Sequence, residues 1–462
     1  MHTPKGYGPH MSAKRLLLAV AVLLVLIVPS RATATVGPDL SALGTNVAGL
    51  LMGANHWTAD SSPYTLTDNL ALASGATLVI DPGVTVISAP GLGFTVAGVV
   101  TANGTPTDPI TFVGGAGLRF QTGSAGSAFT WVEFRQTSWL SPADSSPGEL
   151  PFLSHVLFNG GYGMAIDYPN GVQAPSTVYT FSDLRFTNGA ALWGCCGPWS
   201  ASRISIENSM VADVLSYSLA ISITDSNILR RGTGVCTEWG DNCAVRTYAA
   251  NRPVSASGVW WGTTDIPTIN SMIYDGLDNP SHVVVALDPI RIAPIDLVGP
   301  TSTLSSAWAE PTGGLIAGTA ADDSLGNSGV ASVTVSLRDT VTGDWWSGSA
   351  WTAAEAFLPA SGTDVWSLSL PALLNARTYA VRVHAVDNAG NPQWGTTTGS
   401  ITADGSAPSG TVTINDGASI TTSAVLSVAI PATDAESAVT SYRVSTDGAT
   451  WSTRTYAGTP VN

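Results

Sequence analysis

Residues 56–113, HWTADSSPYTLTDNLALASGATLVIDPGVTVISAPGLGFTVAGVVTANGTPTDPITFV, decide the fold. Short apolar bursts recur there: Leu70-Ala71-Leu72, Leu78-Val79-Ile80, Val84-Thr85-Val86, residues 94–100 and Ile110-Thr111-Phe112. Each burst is too short for a helix and fits a strand bounded by turn residues. The separators Ser74-Gly75, Asp81-Pro82-Gly83, Pro90-Gly91 and Asn103-Gly104 supply positive-φ positions and the fixed φ of proline. No helical pattern lies between the bursts, so they need not form βαβ units. A chain that keeps turning in one sense coils such strands into a solenoid.

Downstream, one phrase recurs: FTWVEF from Phe129, LSHVLF from Leu153, FSDLRF from Phe181, IENSMV from Ile206 and ITDSNI from Ile223. The steps of 24, 28, 25 and 17 residues suit solenoid coils stacked on their neighbours with turns of unequal length. An antiparallel sandwich also gives short strands at short intervals and is the competing reading. In register, the phrases place Trp131, His155, Asp183, Asn208 and Asp225 at one shared position. Coils ~4.8 Å apart would stack these side chains into a polar column. Asp with His offers acid and base for cleaving glycans, or oxygen ligands for Ca2+. The plainer reading, which weighs more, puts Asx residues at a bend where they bond their own backbone.

The opening block resembles the right-handed parallel β-helix proteins secreted by bacteria. The resemblance rests on Trp57-Thr58, Ser62-Pro63-Tyr64, Gly75-Ala76-Thr77-Leu78 and Pro82-Gly83-Val84-Thr85-Val86. It continues through Gly98, Ala102, Gly104-Thr105 and Pro109-Ile110-Thr111-Phe112. The stretch from Trp260-Trp261-Gly262 to Ile273-Tyr274-Asp275-Gly276 is similar to the last coils of such helices, so the resemblance spans about residues 45–295. It implies a fold more than an activity, because this fold carries lyases, hydrolases, adhesins and spikes alike.

The N-terminus reads as a secretion signal over residues 1–34. Lys14-Arg15 precedes an apolar run from Leu16 to Val28 and a small-residue site, Ala32-Thr33-Ala34. That run is too short to span a bilayer as a helix. An extracellular or cell-surface protein with no transmembrane span is expected. No lysine follows Lys14, which excludes Lys–Asn isopeptide cross-links from the exported part. The whole chain carries a formal charge of −15, so a basic footprint for nucleic acid is lacking. Export favours disulfides among Cys195, Cys196, Cys236 and Cys243, with three pairings open.

Near residue 299 the pattern changes to clean alternation. Val330 to Leu337, Trp366 to Leu370 and Tyr379 to Ala385 read as half-buried antiparallel strands. Ala385-Val386-Asp387-Asn388-Ala389-Gly390-Asn391 resembles the strand-end signature of bacterial Ig-like repeats. A second copy begins after Ala403-Asp404-Gly405, and Thr433-Asp434-Ala435-Glu436 echoes Ala321-Asp322 of the first. The expected fold is therefore all-β: a right-handed parallel β-helix over 35–298, an Ig-like sandwich over 299–404 and a truncated second sandwich over 405–462. Asp322, Asp323, Asp387, Asn388 and Asn391 fall at loop ends, where oxygen ligands suit calcium, against a plainer reading as ordinary Asx turns. Trp345, Trp346, Trp351 and Trp366, like Trp260 and Trp261, are read first as core and cap residues and second as sugar platforms.

Phosphate-loop and zinc-protease motifs are missing from the sequence. The expected role is a non-catalytic, monomeric rod that displays an adhesive surface for glycans. The alternative is a polysaccharide lyase or glycoside hydrolase working on an outer face of the β-helix, with His155, Asp183, Asn208 and Asp225 as its polar column.

Overall fold

The computed structural model describes residues 44–456, except 116, 143–149, 167–177, 195–198, 208–213, 217–220, 230–235, 239–242, 248–252, 323, 421, 423–424 and 446–447. The expected signal segment, Cys195, Cys196, Asn208 and Asp323 lie outside the described residues.

From Thr45 to Ala286 the chain winds into a parallel β-solenoid of about seven turns, every strand pair among its described residues being parallel. Three ladders of stacked strands surround one core. In the first, Ile80, Ala102, Phe129, Leu153, Phe181, Ala201, Ile223 and Ala256 lie in register from coil to coil. The second aligns Tyr64, Val86, Phe112, Phe134, Phe158, Phe186, Ile206 and Ile228. The third aligns Leu70, Phe94, Leu118, Leu140, Met164 and Leu192. Because side chains alternate across a strand, each coil turns one set of residues inward, and the next coil covers it with its own. Burial of the Phe112–Phe186 row is nearly complete, with ring centroids 5.1, 5.3 and 4.8 Å apart along it.

Tight corners make the coil possible. Gly114 has φ +97°, and a Cβ there would collide with the Ser88 carbonyl, so glycine is the residue that lets the two coils close up. Near the last coils, a Cys236–Cys243 disulfide closes a seven-residue separation, one of the three pairings the sequence leaves open. Asp265 caps the short helix Ile266–Asn270 through the Thr268 N–H.

The chain then doubles back. Ile290 bridges to Val259, and Asn227 exchanges hydrogen bonds with both backbone groups of Ile295, at 2.7 and 2.9 Å. An amide side chain thereby imitates a strand partner and pins the returning segment to the solenoid. Beyond it, a three-stranded sheet (Thr301–Ser302, Leu315–Ala321, Val365–Ser369) and a seven-stranded sheet built around Val330–Asp339, Thr378–Asp387 and Thr397–Ala403 contribute to a second core. The alternating stretches named above are strands here. Val333, Val335 and Leu337 face Val381, Val383 and Ala385 across an antiparallel ladder. Trp366 is fully buried and donates its indole N–H to the Thr319 carbonyl, 3.2 Å away, whereas Trp351 stacks on Tyr379. Among the described residues from Ser409 to Thr455, three two-stranded sheets form.

An arginine ties the second core to the solenoid. Arg382 reaches Asp108 at 2.5 Å and the Thr107 carbonyl at 3.2 Å, while its other nitrogens hold Glu355 and Thr396. Beside it, the Gly395 N–H donates to the Pro106 carbonyl.

Candidate functional site

At one corner of the solenoid, successive coils from Trp131 onward place a residue in the left-handed region. Trp131, His155, Asp183, Arg203 and Asp225 have φ values of 52, 53, 56, 54 and 46°, and Gly258 follows at 67°. Strand register stacks them: Ser154 pairs Ser182, Ser182 pairs Ser202, and Ser202 pairs Thr224, each one residue before the corner. The column expected from the sequence therefore exists for Trp131, His155, Asp183 and Asp225. Its fourth place belongs to Arg203. The phrase that continues the repeat is ASRISI from Ala201, not IENSMV from Ile206, so the true steps are 20 and 22 residues rather than 25 and 17. Two consecutive apolar strands had offered a plausible but shifted frame. The usable signal was the corner pattern itself: Leu184 and Phe186 after Asp183 match Ile204 and Ile206 after Arg203.

The column is a ladder of alternating charge. Arg203 Nε lies 2.6 Å from Asp183 Oδ1, and Arg291, from the returning segment, lies 3.3 Å from Asp225 Oδ1. Above them His155 stacks on Trp131 at 4.3 Å between ring centroids, and its Nδ1 lies 2.9 Å from Ser154 Oγ. Burial lowers the His155 pKa, Asp183 works against that and Arg203 adds to it, so the neutral imidazole is favoured.

Residues 297–301 and 389–394 roof this column and enclose a cavity of about 250 Å³. Trp394 meets Trp131 at 5.4 Å and closes its apolar end. Arg185 and Ser205, one pleat along from the corner, line its floor, and Gln393 lines its roof. Three groups in the lining are buried with no hydrogen-bond partner among the described residues: Arg185 Nε, Gln393 Oε1 and Trp394 Nε1. Buried polar atoms without partners are rare in folded proteins and mark places where something else supplies the bond. Arg185, Gln393 and Trp394 carried no signal in the sequence, since they meet only when the second core docks.

The expected calcium ligands behave differently from one another. Asp322 and Asp387 come together with Asp296, which sequence reasoning did not single out. Carboxylate oxygens of the three lie within 4.8 Å of one another, all buried. Asn391 joins them, donating from Nδ2 to Asp387 at 2.9 Å and to Asp296 at 3.3 Å. Asn388 instead turns to the Ser328 and Gly329 carbonyls. Burial pushes the Asp387 carboxyl up, the Asn391 donors oppose this, and the charges of Asp296 and Asp322 add to it. For Asp322 burial also disfavours ionisation, but Ser324 and backbone N–H groups, that of Gly329 among them, hold its carboxyl below the ordinary range. An oxygen-only donor set of this kind fits a hard divalent cation. A second trio, Asp404, Asp434 and Glu436, is equally close at the next junction.

No protein-family model matches the chain, and no curated protein is significantly similar to it. Among the described residues, no helix is long and apolar enough to cross a membrane.

Proposed function

We propose that this protein is an exported, extracellular or cell-surface β-helix protein that binds glycan without cleaving it. In this reading residues 1–34 are its signal peptide, 35–298 a right-handed β-helix, 299–404 an Ig-like domain and 405–462 part of another. The observation that carries the proposal is the roofed cavity, where two indoles and unsatisfied polar groups converge as in sites that bind small polar ligands. Aromatic rings with nearby hydrogen-bonding groups suit the mixed apolar and hydroxylated surface of a sugar. The carboxylates of the column favour binding over catalysis, because Asp183 and Asp225 are each engaged by a guanidinium. Screening the soluble chain on a glycan array, with Trp394→Ala beside it, tests the idea. Retained glycan that is recovered intact, and lost with Trp394→Ala, is the expected result. Unsaturated or shortened products would favour the lyase or hydrolase reading, and retention on no glycan would refute ligand binding.

A second reading concerns calcium. Carboxylate trios recur at both junctions, Asp296 with Asp322 and Asp387, then Asp404 with Asp434 and Glu436, each joining a linker aspartate to the unit that follows. Calcium at these points would offset the clustered negative charge and stiffen the rod. Melting in millimolar calcium should then exceed melting in chelator, since a ligand of the native state raises stability. Equal curves would remove calcium from the account.

A further inference from the structure

We infer that the cavity over the corner column recognises the carboxylate of an acidic sugar, a uronate unit of an anionic polysaccharide, and that Arg185 is the group that meets it. The inference deepens the glycan-binding reading and rests on it.

Charge distribution is the first ground. The chain is acidic, with 33 carboxylate residues against 18 lysines and arginines. Within the cavity the balance reverses: Arg185 and Arg203 line it against Asp183 as its one carboxylate. Arg203 spends its Nε on Asp183. Arg185 is far less committed, its Nη2 touching Glu207 at 3.5 Å while its Nε is buried and unpartnered. Glu207 accepts from the Ser205 hydroxyl on its other oxygen at 2.7 Å, which leaves a single long contact to Arg185. A guanidinium presents a rigid fork of donors matched to a carboxylate, and the Arg185 side chain, 36% exposed, keeps donors open to one.

Surroundings supply the second ground. Trp394 Nε1 offers one more unpaired donor and Gln393 Oε1 an unpaired acceptor, suited to ring hydroxyls flanking a carboxylate. His155, favoured neutral and stacked on Trp131, adds no competing positive charge at neutral pH. The site thus has an apolar end, a cationic floor and a mixed polar roof.

Titration calorimetry of the full chain against oligomers of polygalacturonate, alginate and hyaluronan, each paired with its carboxyl-reduced neutral form, tests the inference. At least one acidic oligomer should bind, with tenfold or greater weakening on carboxyl reduction and weakening again as salt rises. Arg185→Gln should lose tenfold or more while its melting curve is retained. If that variant fails to fold, the ligand-side comparison still decides. Equal binding of acidic and reduced forms, or of neutral glycans alone, would overturn the carboxylate assignment and leave glycan binding standing. Binding of no glycan, acidic or neutral, would overturn both.

Discussion

Phe158→Ala tests the stacking of coils directly, with Phe152→Ala from the same strand, Phe152–Gly161, as its control. Phe158 is 1% exposed and lies between Phe134 and Phe186, with centroids 5.3 and 4.8 Å away and ring planes within 14 and 10°. Truncating a buried phenylalanine costs about 3–5 kcal/mol through lost transfer energy and a cavity. The upper half of that range applies here, because two ring pairs, each contributing ~0.5–1.5 kcal/mol, vanish together. Phe152 is 58% exposed, so its truncation should change stability by no more than about 0.5 kcal/mol. Guanidinium unfolding followed by far-UV circular dichroism gives both values, and hydrogen exchange locates the damage. A solenoid contacts only nearest neighbours, so protection should fall in Ala128–Thr137 and Tyr179–Thr187 and be kept in Thr378–Asp387. Equal costs for the two variants, or a Phe158→Ala cost under about 1 kcal/mol, would refute the parallel register.

Gln136→Gly should stabilise the chain by about 0.5 kcal/mol, since Gln136 is exposed at φ 52° and the strain relieved exceeds the added chain entropy; an unchanged or lower melting temperature counts against the corner geometry. Arg382→Gln should cost about 2 kcal/mol and raise proteolysis near residue 106, because Asp108 and Glu355 both lose their partner; wild-type cleavage kinetics would show the junction does not depend on it. Burial lowers the pKa of both His155 and His384, so the unfolded chain binds more protons on acidification. Stability should hold above pH ~6.5 and fall as pH drops through the folded values, more shallowly in His155→Gln; a flat pH–melting profile contradicts the burial of these rings. Asp387, with a raised pKa, costs stability once ionised, so Asp387→Asn should melt higher than wild type in chelator and lose any gain from calcium; a lower melting temperature in chelator would show that repulsion is not what the trio stores.

Much of the architecture is local chemistry. Short apolar bursts between glycine, proline and Asx corners read as strands, and the recurring phrase downstream favoured coiling over an antiparallel sandwich as the way to bury them. The same logic made Trp131, His155 and Asp183 a column, because residues at matching points of successive coils must stack. The fourth place of the column was misread for a physical reason: Ile206 is buried like Ala201, because the five-residue offset between them crosses the corner where strand alternation is reset, and only the pairing of Phe181 with Ala201 installs Arg203. Asp322 and Asp387 were visible as loop-end oxygens, yet Asp296 joins them from a linker with no motif of its own. What tertiary structure alone decided is the cavity. Its floor is written in repeats, but its roof depends on Arg382 finding Asp108 some 270 residues away and bringing Trp394 over Trp131. Contacts of that range leave no periodic trace in a sequence, because they depend on how two finished cores meet.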